Sequence, residues 1–164
     1  MQSTPESDFQ IGSDMIEAEF GAKNEGCTLQ SVTSLKDSVT YYINSNQETP
    51  FWTAEFRNEK GQPLHVDSLL TFQNDRGRPV STADESSFSH HVDEGDEWIT
   101  AFLRWEDIPL EFESKQGEAT VELELQLSHQ TPVVHWSPTV SFSGDGVTLW
   151  EFSFPSGGNI RKER

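Results

Sequence analysis

Residues 90–97 hold the side chains best suited to metal chemistry. His90 and His91 are followed by Asp93, Asp96 and Glu97. Imidazole nitrogens and carboxylate oxygens are among the ligands of zinc sites, and carboxylate oxygens also suit Ca²⁺. Adjacent histidines reach one ion only in a loop, because successive side chains of a strand point to opposite faces. The segment therefore gives two hypotheses: a Zn²⁺ or Ca²⁺ site serving a metal-dependent enzyme, or a solvated polar loop without a cofactor.

A second group of residues that could bind a ligand, here mainly carboxylates, lies in a strand-like segment. Over residues 119–127, branched apolar residues alternate strictly with Glu122, Glu124 and Gln126. A period of two sends the apolar side chains to one face and the polar ones to the other. This pattern predicts a strand of an antiparallel sheet with one buried and one solvated face.

Residues 109–113 alternate in the same way, and they predict a hairpin with the 119–127 strand. A four-residue loop over 114–117 would place Leu110 opposite Val121 and keep both apolar sets on one face. The other face would then carry five carboxylates, two of them directly opposed, which favours a cation or a basic partner nearby. We therefore predict an acidic partner-binding face with these residues: Glu111, Glu113, Glu118, Glu122, Glu124 and, on the neighbouring strand, Trp98.

The five tryptophans give a further hypothesis. Each lies in or beside a strand-like segment, at positions 52, 98, 105, 136 and 150. Core packing is the usual role of such rings, but an exposed ring on a β-sandwich can stack on a sugar, with nearby carboxylates accepting its hydroxyls. A carbohydrate-binding module that uses exposed Trp is therefore an alternative function.

Other catalytic signatures are missing from the sequence. Cys27 is the only cysteine, so an intramolecular disulfide is impossible, and no motif positions a histidine beside it. The chain has no Gly-rich phosphate loop and no serine-nucleophile elbow. We therefore expect a non-enzymatic protein with an inert thiol.

The charge distribution narrows the class of partner. The net charge is −17, and much of it comes from residues 84–124. This segment holds thirteen acidic residues and two basic ones, Arg104 and Lys115. Such a field repels phosphate, so we expect no nucleic-acid partner. A solvated surface or a protein partner, in particular a basic one, fits this charge.

Short alternating or β-branched segments recur along the chain, with turn residues between them, and no segment has a convincing helical period. They cover residues 15–20, 28–32, 39–44, 51–56, 98–105, 109–113, 119–127, 133–136, 139–143 and 147–154. This pattern predicts an all-β fold: an antiparallel β-sandwich, immunoglobulin-like or jelly-roll, of about eight to eleven short strands with little or no helix. We expect one domain over residues 15–154, a flexible arm over 1–14 and a flexible tail over 155–164.

Three turns are predicted in detail. Residues 56–64 and 72–80 share the pattern Phe-x-Asn-acid-base-Gly-x-Pro-aliphatic, which predicts two similar hairpins with Gly61 and Gly77 in the left-handed conformation. These turns loosely resemble those of bacterial surface immunoglobulin-like modules. Gly144-Asp145-Gly146 predicts a hairpin between the segments that flank it.

Residues 81–97 lack a strand period and predict the longest loop, a usual place for binding function.

No run of apolar residues is long enough to span a bilayer, and the N-terminus lacks the pattern of a signal peptide. The sequence fits either a cytoplasmic protein or an exported one whose leader has been removed. The leading functional hypothesis is a non-enzymatic interaction domain that engages a protein partner through the acidic sheet face or the 81–97 loop.

Overall fold

The computed structural model describes residues 9–23, 26–42, 50, 52–69, 72–74, 87–112, 115–154 and 161–163. Thirteen strands and no helix are present in these ranges, and every strand pairing is antiparallel. The strands are β1 (Phe9–Gly12), β2 (Ile16–Lys23), β3 (Gly26–Ser34), β4 (Val39–Tyr42), β5 (Thr53–Arg57), β6 (Pro63–Asp67), β7 (Phe72–Asn74), β8 (Ser87–Glu94), β9 (Trp98–Phe112), β10 (Lys115–Ser128), β11 (Val134–Ser143), β12 (Thr148–Ser153) and β13 (Arg161–Glu163).

The strands form three sheets. Sheet I has the order β1-β2-β3-β4-β13, sheet II the order β12-β5-β6-β7, and sheet III the order β11-β10-β9-β8. The predicted all-β antiparallel fold is confirmed, and the described part of the chain has more strands than the eight to eleven expected. In these ranges no helix is long and apolar enough to cross a membrane.

The apolar side chains of the alternating strands form the core, as the sequence predicted. On β10, Val121, Leu123 and Leu125 are fully buried, whereas Glu122 and Glu124 face outward. On sheet II the inward row is Trp52, Ala54 and Phe56, together with Leu64 and Val66 from β6.

The inner face of sheet III packs against both other sheets. On its β8 side, Phe88 lies 6.0 Å from Phe9 of sheet I, measured between ring centroids. On its β11 side, Phe142 lies 5.6 Å from Phe56 of sheet II. The fold is thus sandwich-like, with sheet III as one layer and sheets I and II facing it.

A β-bulge keeps the long strand β9 in the core. Ala119 pairs with Ile108 and Val121 pairs with Trp105, so β9 holds one extra residue at this point. Asp107, within the bulge, has a φ of 57°. Because the bulge shifts the side-chain alternation by one position, Trp105 and Ile108 both point inward. The segments predicted over 98–105 and 109–113 therefore belong to one continuous strand, which the structure describes as far as Phe112.

The predicted register of the β9–β10 hairpin is wrong. The structure pairs Lys115 with Phe112 and Gly117 with Leu110, instead of Leu110 with Val121. Residues 115–117 belong to β10 and not to a loop, and residues 113–114 lie outside the described ranges. Leu110 is shifted by four positions from its expected partner, and the bulge absorbs the odd shift at Val121, so the apolar residues still share the inner face.

The turn at residues 144–146 joins two sheets instead of closing a hairpin. The amide of Val147 donates to the carbonyl oxygen of Gly144, so the predicted turn is present. Its flanking strands do not pair, however: β11 pairs with β10 and β12 pairs with β5. The glycine-rich turn predicts a reversal of the chain, but it does not determine the partner strand.

The turn over residues 58–62 has the predicted form. The side-chain oxygen of Asn58 accepts hydrogen bonds from the amides of Lys60 and Gln62, and Gly61 has a φ of 79°. The second copy of this pattern falls mostly on residues 75–80, which lie outside the described ranges.

Parts of the expected arm and tail are strands. Residues 9–12 form β1, which pairs with β2, and Ile11 is buried in the core. Residues 161–163 form β13, which pairs with β4. Residues 1–8 and 155–160 lie outside the described ranges.

Candidate functional site

The segment predicted as a loop over residues 81–97 contains a strand. Residues 87–94 form β8, paired along its whole length with β9, and residues 81–86 lie outside the described ranges. His90 and His91 are neighbours in this strand, so their imidazoles point to opposite faces of sheet III. The two histidines therefore cannot share one metal ion.

His90 lies on the inner side of the edge strand β8, where its side chain joins an aromatic cluster but remains exposed to solvent. Its ring stacks on Phe9 with centroids 4.1 Å apart and planes 3° apart. Partial burial disfavours the charged imidazolium and lowers the pKa of His90 below its ordinary value.

His91 faces outward, where its Nε2 lies 2.7 Å from Oδ1 of Asp93. Asp96 and Glu97 follow in the exposed turn between β8 and β9. Among the described residues, no three His, Cys, Asp or Glu side chains are grouped so that they could hold a metal ion. The predicted ligands are thus divided between two faces and a turn.

The outward side chains of sheet III form a broad solvated surface, which we call the acidic face. It holds the predicted strand glutamates that the structure describes, together with neighbours from β8 and β9. Its members are His91, Asp93, Trp98, Phe102, Arg104, Glu106, Glu111, Glu118, Glu122 and Glu124.

Arg104 is the one lysine or arginine among these side chains, and it lies between two carboxylates. Its Nη1 is 3.1 Å from Oε2 of Glu122, and its Nε is 3.3 Å from Oε2 of Glu106. The hydrogen bonds to Glu106 and Glu122 raise the pKa of the Arg104 guanidinium. Arg104 thus offsets part of the negative charge of the acidic face, and the remaining carboxylates leave the face negative.

The directly opposed carboxylates expected from the sequence are not formed. Glu122 lies opposite Arg104, and Glu124 opposite Phe102. Glu118 lies opposite Pro109, whereas it was expected opposite Glu113. Glu111 and Glu118 are exposed, and Glu113 lies outside the described ranges. The corrected register therefore spreads the carboxylates along the face instead of placing them in facing pairs.

Aromatic rings lie among these charges. Phe102 is half-buried and stacks on His91 with ring centroids 6.3 Å apart. Trp98, which the sequence placed in this surface, is also half-buried and meets His135 of β11 edge-on at 5.2 Å. The acidic face thus combines carboxylates with partly exposed rings, a pairing that suits lysine and arginine side chains.

Cys27 is fully buried, and burial raises its pKa well above the ordinary value. Its thiol therefore stays protonated near neutral pH and is a poor nucleophile. This agrees with the inert thiol expected from the sequence.

The tryptophans separate into core and surface residues. Trp52 and Trp105 are fully buried and meet edge-on with centroids 5.4 Å apart. Trp150, in contrast, is 62 % exposed and carries the guanidinium of Arg57 over its ring. The sequence did not single out this pair, because the two residues are brought together by the non-local pairing of β12 with β5.

Comparisons with protein-family models, with curated proteins and with solved structures return no match for this chain. A functional assignment therefore depends on the side chains of the acidic face and of sheet II.

Proposed function

We propose that this protein is a non-enzymatic interaction domain whose acidic face binds a basic segment of a protein partner. The observation that carries the proposal is the placement of Phe102 and Trp98 among the carboxylates of Asp93, Glu106 and Glu124 on one open sheet surface.

Charge supports a basic partner. The acidic face contains one guanidinium, Arg104, which is already paired with Glu106 and Glu122. Glu124, Glu118 and Glu111 lie on the same surface. Lysine and arginine side chains of a partner are attracted to such a field, and the attraction speeds association and selects against acidic partners.

The rings support affinity beyond charge alone. A guanidinium or ammonium group over a half-exposed ring gains about 0.5–1 kcal/mol, and Phe102 lies opposite Glu124 in the register. A lysine or arginine seated there would contact a ring and a carboxylate together. The open surface of four paired strands suits an extended segment that crosses them.

A fluorescence anisotropy titration tests the proposal with a labelled peptide of alternating lysine and leucine as the probe. We expect binding that weakens at least tenfold when NaCl rises from about 0.05 M to about 0.5 M, because the ions screen the charges. Glu124→Gln should weaken binding about threefold to tenfold at low salt. Asp145→Asn removes the same charge from the exposed turn at 144–146 and serves as the matched control.

Phe102→Leu separates the contribution of the ring from that of charge. It keeps an apolar side chain but removes the π face, so we expect weaker binding with an unchanged salt dependence. Binding that does not respond to salt, or equal effects of Glu124→Gln and Asp145→Asn, would refute the acidic face as the binding surface.

A further inference from the structure

Trp150 is the most exposed of the large apolar side chains in the described part of the chain, at 62 %. It lies in β12, the edge strand of sheet II. The register places Leu149 opposite Phe56 and Glu151 opposite Glu55, so Trp150 is the extra residue of a bulge. A bulge directs its extra side chain away from the regular alternation, and here it directs the indole outward.

Arg57 packs over one face of the indole and favours one orientation of the ring. The Cζ atom of Arg57 lies 3.9 Å from the centroid of the Trp150 ring. The Nε of Arg57 is in turn 2.5 Å from Oε2 of Glu55, a half-buried carboxylate. The guanidinium covers one face of the ring, and the high exposure of Trp150 means that the other face is open to solvent. A contact that favours one orientation of the ring reduces the entropy lost when a ligand stacks on it.

Polar side chains form a row beside this ring. Glu151 pairs with Glu55, and Glu55 pairs with His65, so the three lie side by side across β12, β5 and β6. His65 and Glu151 are exposed, and Nδ1 of His65 is 4.0 Å from Oε1 of Glu55. The row offers carboxylate acceptors and an imidazole next to an apolar ring face.

We infer that Trp150, with Arg57, Glu55, His65 and Glu151, forms a binding site for a pyranose ring of a neutral carbohydrate. The axial C–H face of a pyranose is apolar and flat, and it stacks on the open indole face. The equatorial hydroxyls around the sugar rim donate to carboxylates and accept from donors at the edge of the site. The open indole face and the polar side chains at its edge thus offer such a sugar both apolar and hydrogen-bonding contacts.

The charge of the protein selects the kind of sugar. With a net charge of −17 and with Glu55 and Glu151 beside the ring, the site disfavours uronic acids and sulfated sugars. The site lies on sheet II, whereas the acidic face lies on sheet III, so the inference is independent of the proposed protein partner.

Tryptophan fluorescence tests the inference by titrating the full chain with neutral oligosaccharides of β-linked glucose, xylose, mannose and N-acetylglucosamine. At least one of them should change the emission in a saturable way. Trp150→Ala should weaken that binding at least about tenfold, and Trp150→Phe, which keeps a smaller ring, should weaken it less. Binding to the variants is measured by calorimetry, and circular dichroism verifies that they are folded.

Tyr41→Ala is the matched control, because it removes an exposed aromatic side chain of sheet I, outside both proposed sites. It should leave the affinity within about twofold of the unmodified protein. The inference is overturned if no neutral oligosaccharide binds at about 10 mM, if Tyr41→Ala weakens binding as much as Trp150→Ala, or if polygalacturonate binds more tightly than every neutral sugar.

Discussion

The indole Nε1 of Trp105 donates a hydrogen bond to the backbone carbonyl oxygen of Ser68 at 2.9 Å. The same oxygen accepts from the amide of Cys27 at 2.9 Å, and the amide of Ser68 donates to the carbonyl oxygen of Trp52 at 3.0 Å. Trp105 belongs to sheet III, Cys27 to sheet I, and Ser68 follows the last residue of β6 in sheet II. All three sheets therefore meet at one fully buried residue.

Removing this indole donor should destabilise the fold. Trp105→Phe deletes the hydrogen bond and leaves a small cavity beside Trp52, so we expect the free energy of unfolding to fall by about 2–3 kcal/mol. Urea denaturation followed by far-ultraviolet circular dichroism measures the change. Trp98→Phe makes the same substitution in a half-buried ring of the acidic face and should cost less than about 1 kcal/mol. Equal losses in both variants would contradict the role of Trp105 at the junction.

Gly117 should resist substitution more strongly than Gly12. A Cβ atom added at Gly117 would lie within van der Waals overlap of the backbone oxygen of Ser143, which cannot move without disturbing β11. Gly117→Ala should therefore reduce the free energy of unfolding by about 1–3 kcal/mol. At Gly12 the nearest atom would be 3.5 Å away, an ordinary contact, so Gly12→Ala is the control and should cost less. Urea denaturation measures both variants. If Gly12→Ala unfolded at a lower urea concentration than Gly117→Ala, the result would contradict the β10–β11 register.

His90 should make stability depend on pH. Its pKa is lowered in the folded protein, so the unfolded chain binds more protons once the pH falls below about 6.5. Stability is therefore greatest above pH 6.5, declines as the pH falls from there to the folded pKa, and then levels off for this group. His90→Phe keeps the ring against Phe9 but does not titrate, so its free energy of unfolding should decline less between about pH 7.5 and pH 5. A folded-state pKa at or above 6.5 in an NMR titration of His90 would contradict this.

Local alternation carried enough information to predict the faces of most strands. Val121, Leu123 and Leu125 alternate with polar residues, so their side chains share one face of β10. That face packs in the core, where all three are buried. The change of alternation between Trp105 and Ile108 was also visible in the sequence, as a break between two strand-like segments. Its cause, an extra residue in one continuous strand, depends on the pairing with β10.

Strand partners could not be predicted in the same way. The period of two fixes which side chains share a face, but several partner strands satisfy the same pattern. The pairing of β12 with β5 joins residues more than ninety positions apart, and it alone brings Arg57 onto Trp150. The same difference applies to the candidate sites. The glutamates of β10 were identified from the sequence, whereas the positions of Arg104 and Phe102 beside them are known only from the β9–β10 register.

An NMR titration of the ¹⁵N-labelled protein with the lysine–leucine peptide tests the central proposal most directly. If the acidic face binds the peptide, the largest amide shifts will occur at Phe102, Arg104, Glu122 and Glu124, and they will diminish as salt is added. The largest shifts at Glu55, His65 and Glu151 of sheet II, or shifts spread evenly over all three sheets, would contradict it.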